Sequence, residues 1–283
     1  MTAPVGVGRG AGKLILCGEH AVVYGHPALA FAVDLHTTVR LQRCEGSTEV
    51  HSPHADPRVH DALCTVLPAR GWRVQVASDI PVGRGMGSSA ALAVALVRAH
   101  RPALEGEALI EAAMPIERSF HGNPSGLDVA VSALGGCLAF RRGPPMRYEQ
   151  VPVGSWQAVV LDSGSAGDTR ALVAGVAARR PGIDGVLDQI GELVERARHV
   201  LDQPAALGEL LTTNHRLLAD IGVSTPRLDE LVQLALDHGA HGAKLAGAGG
   251  GGVVLALVDD PGPLLAAAEA RGIRALTCSP ELP

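Results

Sequence analysis

The stretch PVGRGMGSSAALAVALV, residues 81–97, alternates three glycines, adds two serines and runs straight into an apolar helical pattern. Glycine lets the backbone turn its N–H groups inward, and a helix starting at Ser88 or Ser89 adds the partial positive charge of its N-terminus. Such a segment can cradle an anion with backbone alone, and the serine hydroxyls offer oxygens to a phosphate or a magnesium ion. The same residues also describe an ordinary strand-to-helix turn with serine as N-cap. A Walker-type loop would carry a lysine beside the serines. None is present here, so any fixed cation must come from elsewhere in the chain.

Two further glycine-rich stretches frame that question. KLAGAGGGG, residues 244–252, matches GxGxxG at Gly247, Gly249 and Gly252. A dinucleotide fingerprint needs a strand before it and a helix after it; here the pattern expects a helix before and the strand VVLALV after, so it is not a Rossmann signal. A run of glycines is costly in conformational entropy and fits a place where backbone passes close to another group. The N-terminal GVGRGAGK reads by default as a loose terminus leading to Lys13. Of the 24 basic residues only Lys13 and Lys244 are lysine, and each sits beside a glycine-rich stretch. That points to sites where a compact ammonium does what a guanidinium cannot.

The bulk properties exclude several classes. The 283 residues are 47% hydrophobic and 19% charged, which describes a soluble globular protein with an ample core. A net charge of -5 argues against a nucleic-acid partner. No apolar run approaches the ~20 residues that span a bilayer, and MTAPVGVGRGAGK lacks the apolar region of a secretory signal. No membrane partner is therefore expected. Five cysteines, an odd count without CxxC, fit reduced thiols in the cytoplasm. Cys44, His51, His54, His60 and Cys64 crowd one segment without the paired spacing of structural zinc; the segment reads as a polar loop.

Along the chain, KLILCG, ALAFAV, TTVRLQR and WRVQVAS read as strands. SSAALAVALVRAH and EALIEAAMPIERSF read as helices, followed by a turn at HGNPSG, a helical LDVAVSAL and a strand GGCLAF. After QAVVLDSG the texture becomes helical, with GVLDQIGELVERARHVL and PRLDELVQLALDHG, and the chain closes on VVLALV, PLLAAAEA and RALTC. This predicts an α+β protein of two domains with a boundary near residue 150.

Taken together, GKLILCGEHAVVYGHPALA (12–30), PVGRGMGSSAA (81–91) and KLAGAGGGG resemble, in order, three motifs of the GHMP kinase superfamily. GEHAVVYG, ERSFHGNPSGLD (117–128), DTRALVAGV (168–176) and NHRLLADIGVSTPRLDEL (214–231) narrow the resemblance to the branch that phosphorylates mevalonate. It covers nearly the whole chain. It implies a two-domain GHMP kinase fold, with a ribosomal S5 domain 2-like N-terminal domain at 1–155 and a ferredoxin-like C-terminal domain at 156–283. The active site would lie in the cleft between them. The implied reaction is phosphorylation of the 5-hydroxyl of mevalonate by ATP with Mg2+, a step of isoprenoid biosynthesis. The helical C-terminal half leaves a homodimer open.

The resemblance also assigns residues. Asp128 would be the catalytic base, with Lys13 beside it supplying the missing cation, and Ser89 and Glu117 would hold magnesium. Glu19 and His20 would line the mevalonate pocket, with His20 bonding a substrate carboxylate or hydroxyl, and Thr169 would orient the catalytic groups. Gly83, Arg84, Gly85, Met86, Gly87, Ser88, Ser89, Gly247 and Gly249 would surround the nucleotide, with Ser78 as a further contact. Read without it, Asp128 is an aspartate near a helix N-terminus, Glu117 an exposed helix residue, Glu19–His20 a surface pair and Thr169 an N-cap. The chain departs from the family pattern at Ala11 and Val82, where prolines are usual, and at Arg84, where a small residue is usual. Arg84 either points to solvent or adds charge near the phosphates. Rival readings are a GHMP kinase for phosphomevalonate, homoserine or a sugar, a diphosphomevalonate decarboxylase, or a non-catalytic ligand-binding member.

Overall fold

The computed structural model describes residues 6–52, 57–121, 124–143 and 146–281. Its first sheet contains β1 (Gly6–Cys17), β2 (Pro27–Ser47), β3 (Glu49–His51), β4 (Arg70–Ser78), β5 (Cys137–Arg141) and β6 (Arg147–Val151). The order is β3-β4-β2-β5-β6, with β1 also paired to the long β2. Helices α1 (Pro57–Cys64), α2 (Ser88–His100), α3 (Gly106–His121) and α4 (Leu127–Leu134) accompany it.

The second sheet contains β7 (Gln157–Asp162), β8 (Gly242–Ala246), β9 (Val253–Val258) and β10 (Ala275–Cys278), in the order β10-β7-β9-β8. Between β7 and β8 run α5 (Thr169–Arg179), α6 (Asp184–Ala197), α7 (Pro204–Asp220) and α8 (Pro226–Asp237); α9 (Gly262–Glu269) precedes β10. A βαββαβ path with that strand order is a ferredoxin-like arrangement. The two sheets change over between Val151 and Gln157.

Strands covered on both faces, ALAFAV of β2 and VVLALV of β9, are continuously apolar, whereas WRVQVAS of β4 alternates buried and more exposed residues. In ALAFAV, Ala28, Ala30 and Ala32 face the cluster built with α2, α3 and α4, while Leu29, Phe31 and Val33 face the second sheet. Small side chains lie under the helices and large ones fill the space between sheets. The second sheet divides the same way: Val253, Leu255 and Leu257 of β9 point to the inter-sheet core, and Val254, Ala256 and Val258 to a third cluster with α8 and α9. At the changeover Trp156 stands edge-on to Phe31, ring centroids 5.1 Å apart, and its Nε1 donates to the Leu201 carbonyl at 3.0 Å. The chain end returns to the first sheet: Pro280 bridges Val33, Glu281 N donates to Ala32 O at 2.8 Å, and Gly136 N donates to Glu281 O at 3.0 Å.

Several local expectations change. GVGRGAGK is not a loose terminus but the first part of β1. Its glycines sit where the strand crosses α2, and a methyl on Gly6, Gly8 or Gly10 would run into the carbonyl oxygens of Ala99, Ala95 and Ala91. ALAFAV and TTVRLQR belong to one strand. The segment after Cys44 contains the end of β2, β3 and α1; Cys44 and Cys64 make only local contacts, and His54 lies outside the described residues. So do Gly122 and Asn123 of the expected turn. The third glycine stretch follows a strand, β8, and not a helix. The five cysteines form no disulfide. Among the described residues no helix is long and apolar enough to cross a membrane.

The close crossing predicts that Gly10→Ala lowers unfolding stability by about 1–3 kcal/mol, the scale of an overpacked contact, read from the urea midpoint.

Candidate functional site

The loop between β4 and α2 forms one wall. Ser78 ends β4, and its hydroxyl is shared between Thr37 Oγ1 at 2.9 Å and the Ile80 amide at 3.2 Å, so it fixes the strand's exit. Gly83, Gly85 and Gly87 have φ of 73°, 77° and 73°, while Arg84 and Met86 between them keep negative φ. Alternating handedness turns successive N–H groups to one side, the geometry of an anion nest. Gly87 is the N-cap of α2 and provides no side chain to occupy the first amides of the helix. Ser88 and Ser89 are therefore the first helical residues and neither is the cap, which leaves those amides to a ligand. A side chain on Gly87 would strike Lys13, and Met86 O accepts from Lys13 N at 2.9 Å.

Lys13 comes from β1, buried at 4% exposure, and its Nζ lies 3.2 Å from Asp128 Oδ2. Asp128 is in the first turn of α4, whose N-cap is Gly126. Its side chain is a third exposed, so the pair faces accessible space from a buried base. Thus β1 supplies the cation that the loop lacks.

Beside it, Ser89 Oγ donates to Glu117 Oε1 at 3.2 Å, and His121 Nε2 lies 3.1 Å from Ser89 Oγ and 3.6 Å from Glu117 Oε1. Glu117 is buried at 2% exposure, contrary to the exposed-helix reading. Burial first, and the Asp128 carboxylate second, push its pKa up to about 7, against the opposing pull of Ser89 and Lys13. Its Oε2 is buried with no hydrogen-bond partner. A buried carboxylate with an idle oxygen and a raised pKa is a carboxylate short of positive charge, which a dication would satisfy. No group of three or more His, Cys, Asp or Glu among the described residues could hold a metal. A metal here would take most of its ligands from phosphate and water, as magnesium does.

The third glycine stretch lies against the loop at 83–87, where a Cβ on Gly252 would stand 3.5 Å from Arg84 O, and here the second lysine appears. Lys244 is fully buried on β8 and ion-paired with Glu19 Oε1; its Nζ also donates to Ile15 O at 3.3 Å. Asn214 of α7 donates to Glu19 Oε2 at 3.2 Å, and Gly247 N to Oε1 at 3.4 Å. Both oxygens of Glu19 are thus occupied within the protein. His215, next on α7, accepts from Leu245 N at 3.2 Å and contacts Asp229 at 3.0 Å, holding β8 from the same helix.

His20 has a positive φ of 60°, the sole non-glycine case among the described residues. Such backbone persists where the surroundings enforce it. Its Nε2 lies 2.8 Å from the Ala248 carbonyl, which can only accept. Nε2 therefore carries the proton, and burial lowers the pKa of the ring, so Nδ1 is a free acceptor on a neutral imidazole. Such an atom suits a hydroxyl and not a carboxylate.

Gly250 N donates to Val223 O and Gly252 N to Ser165 O, both at 2.8 Å, which tie the glycine stretch to the α7–α8 connection and to the segment after β7. Gly249 makes the close backbone approach expected of this run: a methyl on it would strike Val223 O. Thr169 is exposed as the first residue of α5; the cap is Asp168, whose Oδ1 accepts from Arg170 N and Ala171 N. Arg84 is partly exposed and reaches the second sheet. Its Nε lies 3.0 Å from Asp162 Oδ2 at the end of β7.

The structure thus joins Lys13 to Asp128 and Ser89 to Glu117, and sets His20 against the third glycine stretch. Thr169 stands apart from these contacts. Sequence reasoning gave no role to Asn214, although it opens the segment NHRLLADIGVSTPRLDEL, or to Asp162, and flagged Lys244 only through the scarcity of lysine.

Known proteins resemble this chain over most of its length. Residues 57–136 match the family model "GHMP kinases N terminal domain" and residues 194–273 match "GHMP kinases C terminal". The mevalonate kinase of Pyrococcus abyssi is 37% identical over 291 residues, covering 87% of this chain and 86% of the relative. That of Methanothermobacter thermautotrophicus is 36% identical over 271 residues, covering 86% and 87%. The crystal structure of L. major mevalonate kinase in complex with R-mevalonate superposes with a TM-score of 0.87 at 26% identity, covering 100% of both chains.

Two outcomes follow. Glu117 has a folded pKa above its unfolded value, so its full stability contribution exists below about pH 4.5 and is lost as pH rises through about 7. Glu117→Gln should therefore stabilise the ligand-free protein at pH 8 by on the order of 1–3 kcal/mol and leave it nearly unchanged at pH 4, measured by urea melts. Glu19→Gln, which strands Lys244 without its charge partner, should cost about 3–5 kcal/mol, and Glu19→Gln with Lys244→Met should cost less than the single variant.

Proposed function

The chain belongs to the mevalonate kinases of the GHMP kinase family, and from that premise we propose that it transfers the γ-phosphoryl group of ATP to the 5-hydroxyl of (R)-mevalonate. The observation that carries this reading is the Lys13–Asp128 pair at 3.2 Å, standing beside the Ser89–Glu117 contact and the amides of the 83–87 nest.

Phosphoryl transfer asks a protein for position and charge neutralisation more than for covalent chemistry. Asp128 accepts the proton of the 5-hydroxyl as that oxygen bonds to the γ-phosphorus, the bond to the β-bridging oxygen breaks, and ADP leaves. Lys13 holds Asp128 in place and stabilises the developing negative charge on the attacking oxygen. Backbone amides of Gly83, Arg84, Gly85, Met86, Gly87, Ser88 and Ser89 receive the triphosphate, with Gly247 and Gly249 closing the nucleotide from the other side. Ser78 keeps the loop's entry in register. Ser89 and Glu117 hold Mg2+, which supplies neutralisation of the phosphate oxygens.

On the substrate side, Nδ1 of His20 accepts a hydrogen bond from a mevalonate hydroxyl, and Thr169 approaches from the start of α5. Glu19, with both oxygens engaged, shapes the pocket by holding its wall. Domains 1–155 and 156–283 contribute the two sides.

The test is turnover with ATP and Mg2+ over mevalonate, phosphomevalonate, homoserine and galactose. ADP release with mevalonate is expected; turnover of another substrate with mevalonate inert would overturn the reading. Asp128→Asn should keep ATP binding and lower kcat by about 10²–10⁴-fold, the range for loss of a general base.

A further inference from the structure

Arg84 is the one charged residue in the loop PVGRGMG, and it stands where the family resemblance expects a small side chain. The loop is tethered at its two ends. At the entry, Ile80 is buried and its amide donates to Ser78 Oγ at 3.2 Å. At the exit, Met86 is buried and its carbonyl accepts from Lys13 N at 2.9 Å. Between these points lie two glycines in the left-handed region, Gly83 and Gly85, which lend the backbone freedom and no side-chain contact. A cradle made of backbone amides works only if those amides hold still.

The side chain of Arg84 supplies the missing restraint. Its Nε lies 3.0 Å from Asp162 Oδ2, and the two side chains are only 21% and 14% exposed, so water and salt screen the pair less than a surface bridge. Asp162 is itself rigid. It closes β7, its amide donates to Arg274 O at 2.9 Å, and its Oδ1 accepts from Gly164 N at 2.8 Å. The next residue, Ser163, donates from its amide to Gly252 O at 3.0 Å. One carboxylate thus fixes the phosphate loop at the same point where the third glycine stretch is held. The pairing also draws the guanidinium to the second sheet and sets a carboxylate against its charge.

We propose that Arg84 and Asp162 form a clasp that fixes the phosphate loop against the C-terminal half, which makes Asp162 a positioning residue for the nucleotide. This rests on the kinase reading above for its kinetic consequence, though not for its structural one.

Two measurements test it on the full-length protein: hydrogen exchange of the 83–87 amides without ligand, and KM for ATP against kcat with mevalonate. Arg84→Ala and Asp162→Asn should each speed exchange across 83–87. Each should raise KM for ATP about fivefold to tenfold with kcat changed less than about threefold, the scale of one partly buried ion pair. The double variant should be no worse than either single, and Arg84→Asp with Asp162→Arg should recover part of the loss. A lower KM for ATP in Asp162→Asn would overturn the clasp, because it would mean that freed Arg84 binds phosphate directly. So would unchanged exchange in both singles, or fully additive effects. If the wild-type protein fails to phosphorylate mevalonate, the kinase reading falls, and the exchange measurement still decides the clasp. Should Asp162→Asn fail to fold, Arg84→Ala carries the exchange test alone.

Discussion

The ion pair between Lys244 and Glu19 is the contact on which the arrangement of the site depends. The two residues are 225 positions apart, one on the strand that opens the third glycine stretch and the other just after β1. Neither charge would be tolerable alone at this depth, because a buried ion without its partner is strongly unfavourable. Each half of the molecule therefore carries a residue that becomes acceptable only when the halves meet in one register. Asn214 and the amide of Gly247 add direction to that requirement.

With the halves so locked, the chemistry of the site becomes a matter of where positive charge is permitted. The loop at 83–87 presents amides, the start of α2 presents more, and Lys13 reaches in from β1 beside Asp128. The same neighbourhood holds Glu117 in a state poor in counter-charge, with one oxygen unsatisfied. These features complement each other. An excess of donors on one side and a deficient carboxylate on the other describe a place prepared for a polyanion accompanied by a cation.

Much of this was readable from the residues. α3 follows its apolar periodicity and α2 its unbroken apolar run, and the scarcity of lysine singled out both buried ammonium groups. What escaped did so for physical reasons. The glycines of GVGRGAGK look like disorder because a strand crossing within touching distance of a helix has the same composition as a flexible tail, and only the partner distinguishes them. β8 was hidden because GAKLA is five residues, small or apolar apart from Lys244, too short for a period to declare itself. Glu117 reads as a surface residue by type, since burial of a carboxylate is a property of its surroundings and not of its helix. Arg84 had no legible partner because Asp162 is 78 residues away and belongs to no motif.

The return of the chain end to the first sheet has a consequence for how the protein is made. Pro280 and Glu281 bridge Val33, Ala32 and Gly136, and the His36 ring reaches the Glu281 carboxylate at 2.8 Å. The first sheet is translated early but acquires these bonds only when residue 281 has left the ribosome. Through most of synthesis it waits with the edge of Ala32–Val33 uncovered, together with the apolar face that the second sheet will later occupy. The nascent chain thus passes through a long interval of exposed apolar surface, the period in which a chaperone has most to offer it.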